Sequence, residues 1–159
     1  MQKFNQEVVS EGRALNRVVR GTQEGWGAEP DQRHADIFVE ELGLEEARPV
    51  STPGEPEQRW EEEENAQEPG GAEATKYRAL AARANYLAAD RTDMMYATKE
   101  ERRRHNMARP TVGAQKKLKR LGTFLAGKAR LTRKYPWQGQ EDVIAGYSDS
   151  DWAGCRVTG

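Results

Sequence analysis

The sequence predicts an α+β fold: an N-terminal β-hairpin with one helix, an acidic spacer, a three-helix segment and a terminal strand pair. Three observations carry that reading. The stretch Ala14-Leu-Asn-Arg-Val-Val-Arg20 holds a β-branched pair and runs into a glycine-rich turn over residues 21–27, the pattern of a hairpin whose second arm lies near Gly25 to Glu29. Tyr77, Leu80, Ala81, Ala84, Leu87 and Ala88 recur at three-to-four spacing, the period of a buried helix face. Leu131 to Tyr135 and Asp142 to Ser148 read as two strands, separated by Pro136 and a turn at Gln138-Gly139.

The elements follow in order. Residues 1–12 carry no clear pattern and read as an irregular extension. After the hairpin, Asp31 stands where an N-cap would, ahead of Ala35, Ile37, Phe38, Leu42 and Leu44, with Gly43 as a stop; the predicted helix covers 31–42. Pro49, Pro53, Pro56 and Pro69 accompany a run of glutamates and the pair Gly70-Gly71. Low hydrophobicity with concentrated like charge cannot offset the entropy of ordering, so residues 55–74 read as a disordered acidic linker. Alanine-rich helix follows from Thr75, Asp90 to Asp93 breaks it, and a second helix spans Met94 to Asn106. Pro110 ends that one. Thr111 caps a third running to Ala126, with Leu118, Leu121, Phe124 and Leu125 on one face and Gly127 as its stop.

Of the 159 residues, 36% are apolar and 32% charged, a thin supply for a core. Marginal stability is therefore expected, with the N-terminal piece tied only loosely to the helices across the spacer. Net charge is −1, yet the signs are segregated. Residues 55–73 hold eight glutamates against Arg59 alone, whereas residues 102–134 hold twelve Lys or Arg and no acid. The lone Cys155 rules out an internal disulfide. His34 and His105 lack cysteines at zinc spacing and read as surface or cap residues. No apolar run is long enough to span a bilayer, and no leader is visible. The chain reads as soluble and intracellular, with cytoplasm and nucleus not distinguished.

Two features bear on chemistry. Asp149 and Asp151, two apart after an apolar run, would share one side of an extended strand. Paired carboxylates can hold a hard divalent cation through oxygen ligands, although such a site needs further ligands and only eight residues follow. Asp-Ser-Asp also reads as a solvated turn. The second feature is basic: Lys116, Lys117, Lys119 and Arg120 share the third helix, and Lys128, Arg130, Arg133 and Lys134 follow it. A solvating surface normally mixes both signs. Clustered cations without acids instead suit a non-specific grip on phosphates.

Three blocks, read in order, resemble a known family. The first is Leu15-Asn-Arg-Val-Val-Arg20 with Glu29-Pro-Asp-Gln-Arg-His-Ala-Asp36, Leu42-Gly-Leu44 and Pro49-Val-Ser-Thr-Pro-Gly54. The second is Tyr77-Arg-Ala-Leu-Ala-Ala-Arg-Ala-Asn-Tyr-Leu-Ala88 with Met95-Tyr-Ala-Thr-Lys-Glu100. The third is Lys117-Leu-Lys-Arg-Leu-Gly122, Leu131 to Trp137 and Gly146-Tyr-Ser-Asp-Ser-Asp-Trp-Ala-Gly154. Together they resemble the C-terminal reverse transcriptase region of Copia-type retrotransposon Pol polyproteins.

The resemblance implies that 13–54 is the end of a palm/thumb-like region, 75–135 a helical connection-like segment, and 138–159 the first strand region of a truncated ribonuclease H-like domain. It implies that Asp149 matches the first acid of a two-magnesium ribonuclease H centre, with Asp151 as a further metal ligand. Mg2+ is thus the implied cofactor. RNA–DNA hybrid or template–primer, and the remainder of the polyprotein, are the implied partners. The family's polymerase Tyr-x-Asp-Asp pair has no counterpart here, and Glu101 to Asn106 departs from the family's apolar passage. The expectation is therefore a catalytically incomplete fragment with residual nucleic-acid binding. The alternative is a charged helical module that binds protein and has no enzymatic role.

Overall fold

The computed structural model describes residues 8–54, 68–101, 107–139 and 146–148. Four antiparallel strands form one sheet in the order β1 (Val8–Ala14), β2 (Arg17–Thr22), β3 (Gly25–Glu29) and β4 (Arg133–Pro136). Among the described residues between β3 and β4 lie the helices α1 (Gln32–Glu41), α2 (Gly71–Ala88), α3 (Met95–Glu101) and α4 (Val112–Gly127). The α+β class is as the sequence predicts.

Local chemistry explains the element ends. Ala14 pairs with Arg17 across a two-residue loop in which Leu15 and Asn16 both take positive φ, 50° and 62°. A primed turn of that kind matches the twist of its flanking strands. The expected single strand from Ala14 to Arg20 is therefore interrupted, and residues 8–12 belong to β1 instead of an irregular extension. Asn16 tolerates this backbone, whereas Leu15 adopts it at a steric cost. Asp31 caps α1 as expected, accepting from the Arg33 N–H at 3.2 Å. Thr111 Oγ1 caps α4 by accepting from the Ala114 N–H at 3.1 Å.

Helix α2 starts four residues before the predicted Thr75, so residues 71–74 of the expected linker are helical. Ala72 and Ala74 favour helix, and Glu73 in the first turn complements the macrodipole. Residues 55–67 of the expected linker and 102–106 of the expected middle helix lie outside the described residues.

Leu131 to Tyr135 was expected to pair with Asp142 to Ser148. Instead Arg133–Pro136 returns to the sheet beside β3, with Trp26 opposite Tyr135 and Gly25 opposite Pro136. Gly25 permits the approach: its φ is 149°, and a Cβ there would lie 2.1 Å from the Tyr135 carbonyl oxygen. Gly146 to Ser148 form no strand, and residues 140–145 lie outside the described set.

The hydrophobic core is helical. Phe38 and Leu44 from the α1 region meet Tyr77, Leu80, Ala84 and Leu87 of α2, Met94, and Leu118, Leu121, Phe124 and Leu125 of α4. The N-terminal segment is thus packed into the shared core, contrary to the expected loose tether. Among the described residues the sheet adds no side chain to that core. Polar ties hold it instead, and a buried arginine closes the helical end.

Arg91, 0% exposed, donates from Nε and Nη2 to both oxygens of Asp93 at 2.9 and 2.8 Å. Its remaining N–H groups reach the Ala129 carbonyl at 3.0 Å and the Lys128 carbonyl at 2.8 Å. The guanidinium fork thereby joins the α2–α3 turn to the chain leaving α4. Truncating such a group leaves buried acceptors unpaired, so Arg91→Ala should cost about 3–5 kcal/mol in urea unfolding. Arg91→Lys should recover little of it, because an ammonium cannot reproduce the fork. Wild-type stability in either variant would show that the carbonyls find other partners.

Candidate nucleic-acid interface

Helix α4 sets out the basic residues by its period. Gly113, Ala114, Leu118, Leu121, Gly122, Phe124 and Leu125 face the core. At 100° per residue this puts Lys116 and Lys119 on the opposite side, whereas Lys117 and Arg120 are half-buried. Arg120, its Nε buried, donates from Nη2 to the Thr52 hydroxyl at 2.9 Å and so braces the flank of the helix against the segment after α1. Lys128 closes the helix through its N–H to the Phe124 and Leu125 carbonyls, and its ammonium sits 5.2 Å from the Phe124 ring centroid.

The eight predicted cations do not form one surface. Two look outward from α4, Lys117 and Arg120 are half-buried, and the four that follow divide by role. Lys128 and Lys134 are exposed. Arg133 and Lys134 are consecutive in β4 and therefore project from opposite sheet faces. Arg133 reaches the Ala89 carbonyl at 3.4 Å. Arg130 is structural: its Nε and Nη2 donate to the two oxygens of Glu29 at 2.5 and 2.8 Å.

Sequence reasoning missed Glu29. It is 4% exposed and also accepts from Arg20 Nη1 at 2.8 Å. Arg20 in turn donates to Glu11 at 2.6 Å. The hydrogen bond from Arg130 holds the Glu29 carboxyl below its ordinary range; burial opposes this, and Arg20 adds to it. Nearby, Arg33 holds Asp31 down to about 2, chiefly by side-chain hydrogen bonding. These groups border a cleft of about 450 Å³ that Arg13 and Val18 also line. Its charges largely answer one another, which marks it as a junction between sheet and helices more than an open anion site. Nothing local in the sequence signals it, because Arg130 lies 101 residues from Glu29.

His34 lies against Tyr86, with ring centroids 4.5 Å apart, and its Nδ1 is 3.2 Å from Arg83. It is half-buried there, packed between helices, where the sequence suggests a surface or cap residue. His105 and Cys155 lie outside the described residues, as do Asp149 and Asp151. Among the described residues no three His, Cys, Asp or Glu side chains gather as a metal site, so the magnesium expectation rests on the resemblance. No helix among them is long and apolar enough to cross a membrane. Compared with known proteins, the chain matches no family model, no curated protein and no solved structure.

The acid pair gives a pH dependence with a defined sign. Both carboxyls titrate lower when folded than when unfolded, so each contributes fully above its unfolded pKa of roughly 4 and loses that contribution as pH falls. For Asp31 the loss runs from about pH 4 down to about 2. Urea unfolding of wild type should weaken steadily below about pH 4.5. Glu29→Gln should be about 2–3 kcal/mol less stable at neutral pH and fall less steeply in acid. Parallel acid profiles for the two proteins would remove Glu29 from the account.

Proposed function

We propose that this chain is part of a Copia-type Pol polyprotein, spanning the end of a reverse transcriptase and the start of a ribonuclease H domain, and that its own task is to hold nucleic acid. The parent enzyme would copy element RNA and degrade RNA in the RNA–DNA hybrid; no catalytic step is assigned to the described residues. What supports the resemblance is the ordered set of sequence blocks. What supports the binding role is one observation: Lys116 and Lys119 share the outward face of α4, within a stretch of residues 102–134 that contains no acid. Cations held on a rigid helix track a phosphate backbone without reading bases, and binding of that kind releases counterions. Mg2+ at Asp149 and Asp151 belongs to the same proposal through the resemblance alone.

A second reading has its own observation. Glu68, at the end of the acidic run, pairs with Arg109 just ahead of α4. The acidic segment is thus tied at one point to the approach to the basic helix, as a charged protein-interaction module would require.

Filter binding to an RNA–DNA hybrid separates the two readings. Contact with about four phosphates should cost on the order of a hundredfold in affinity between roughly 50 and 200 mM salt. Lys119→Ala should weaken binding and reduce the salt slope by about 1. Deleting residues 55–67 should raise affinity if the acids compete for the basic face. Salt-indifferent binding, or a deletion that leaves hybrid binding unchanged while abolishing a protein contact, would favour the interaction module.

A further inference from the structure

Three large aromatic side chains stand in the open on one side of the sheet. Trp26 is 43% exposed, Tyr135 48% and Trp137 60%. They belong together by register. Trp26 pairs with Tyr135 across β3 and β4, so both project from the same face, and Trp137 follows two residues beyond Tyr135. The Trp137 N–H donates to the Glu24 carbonyl at 2.9 Å, which fixes the chain just past β4. Its ring meets Trp26 edge-on, with centroids 6.1 Å apart and planes at 81°.

The Trp26 indole is also positioned from the other side. Its cross-strand partner on β2 is Gly21, where a Cβ would come within 3.2 Å of Trp26 Cζ3 and 3.4 Å of Cη2. The missing side chain lets the ring settle against the sheet. Arg133, on the same face, places its guanidinium carbon 6.0 Å from the Tyr135 ring centroid. Each such aromatic could bury roughly 150–250 Å² in a core, yet among the described residues the hydrophobic core takes none of the three.

We infer that this face is a stacking site for single-stranded nucleic acid, with unpaired bases on Trp26 and Trp137 and the sugar–phosphate chain passing Arg133. Every base offers a π-face, so fixed aromatic rings beside cations bind single strands with little sequence preference. A proline-rich peptide also uses aromatic surfaces. Arg133, a cation beside Tyr135 on that same face, favours the polyanion. A paired strand would present its bases to one another and leave the rings unused. The inference rests on the nucleic-acid reading above and narrows it to unpaired segments.

Fluorescence anisotropy with labelled oligomers tests it, using an oligothymidylate and an abasic chain of the same length. Wild type should bind the base-bearing strand more tightly. Trp137→Ala should weaken that binding about five- to 150-fold and leave the abasic chain unaffected. Trp137→Phe should restore most of the loss, which a purely structural role for the indole would not do. Lys119→Ala should weaken both ligands alike. Equal affinity of wild type for the two oligomers would overturn the stacking site while leaving phosphate binding intact. Binding of neither would overturn both, and capture of a polyproline peptide with no oligomer binding would assign the face to peptide.

Discussion

The carboxylate of Glu29 is the point on which the two halves of this fold meet. It ends β3, is almost wholly buried, and is held by Arg20 from the neighbouring strand and by Arg130 from the chain that leaves α4. Such an acid is stable only while its lone pairs are answered, because burial alone would drive it to the neutral form. Arg17, paired with Asp90 at 2.7 Å, repeats the device between β2 and the end of α2. The sheet is consequently fastened to the helices by directional, charge-assisted bonds, while the apolar packing stays within the helices. Directional bonds specify where β4 must return, which a small apolar contact would not.

The division follows from composition. With so few apolar residues, one core can be filled but not two. Alanines at 81, 84 and 88 let helices approach closely, and Phe38, Phe124 and the leucines fill the space between them. Gly122 extends the same economy: a Cβ there would lie 2.7 Å from Leu42 Cδ1 and Leu44 Cδ1, so α4 can press against the segment that follows α1. What remains for the sheet is hydrogen bonding, ion pairs and an aromatic face left facing solvent. A surface of that kind is available for binding because folding has not consumed it.

Helices were the legible part of the sequence. The stripes of α1 and α4, the caps at Asp31 and Thr111, and the stop at Gly127 all depend on neighbours within a turn, so local pattern suffices. The start of α2 was misplaced because Gly70-Gly71 reads as linker, although the alanines beyond outweigh one glycine. Strand pairing was less legible. Leu15 offers no sign of a positive-φ turn, and the partner of Arg133–Pro136 lies more than a hundred residues upstream. Of the predicted basic set, the outward face of α4 could be read from periodicity. Arg130 could not be told from a phosphate ligand, since its carboxylate partner is distant in sequence. The aromatic cluster left a faint trace, Trp26 among glycines and Tyr135 alternating with Trp137, but only the register joins them.

If the polar clamp governs how the sheet is held, sheet and helical core should open separately. Native-state amide exchange, comparing wild type with Arg130→Met, measures this residue by residue. The β3 and β4 amides should lose protection in the variant while those of Leu118 to Leu125 keep theirs. An equal loss across sheet and helices, or none in either, would contradict the account, since the molecule would then hold its sheet by something other than the carboxylate between two arginines.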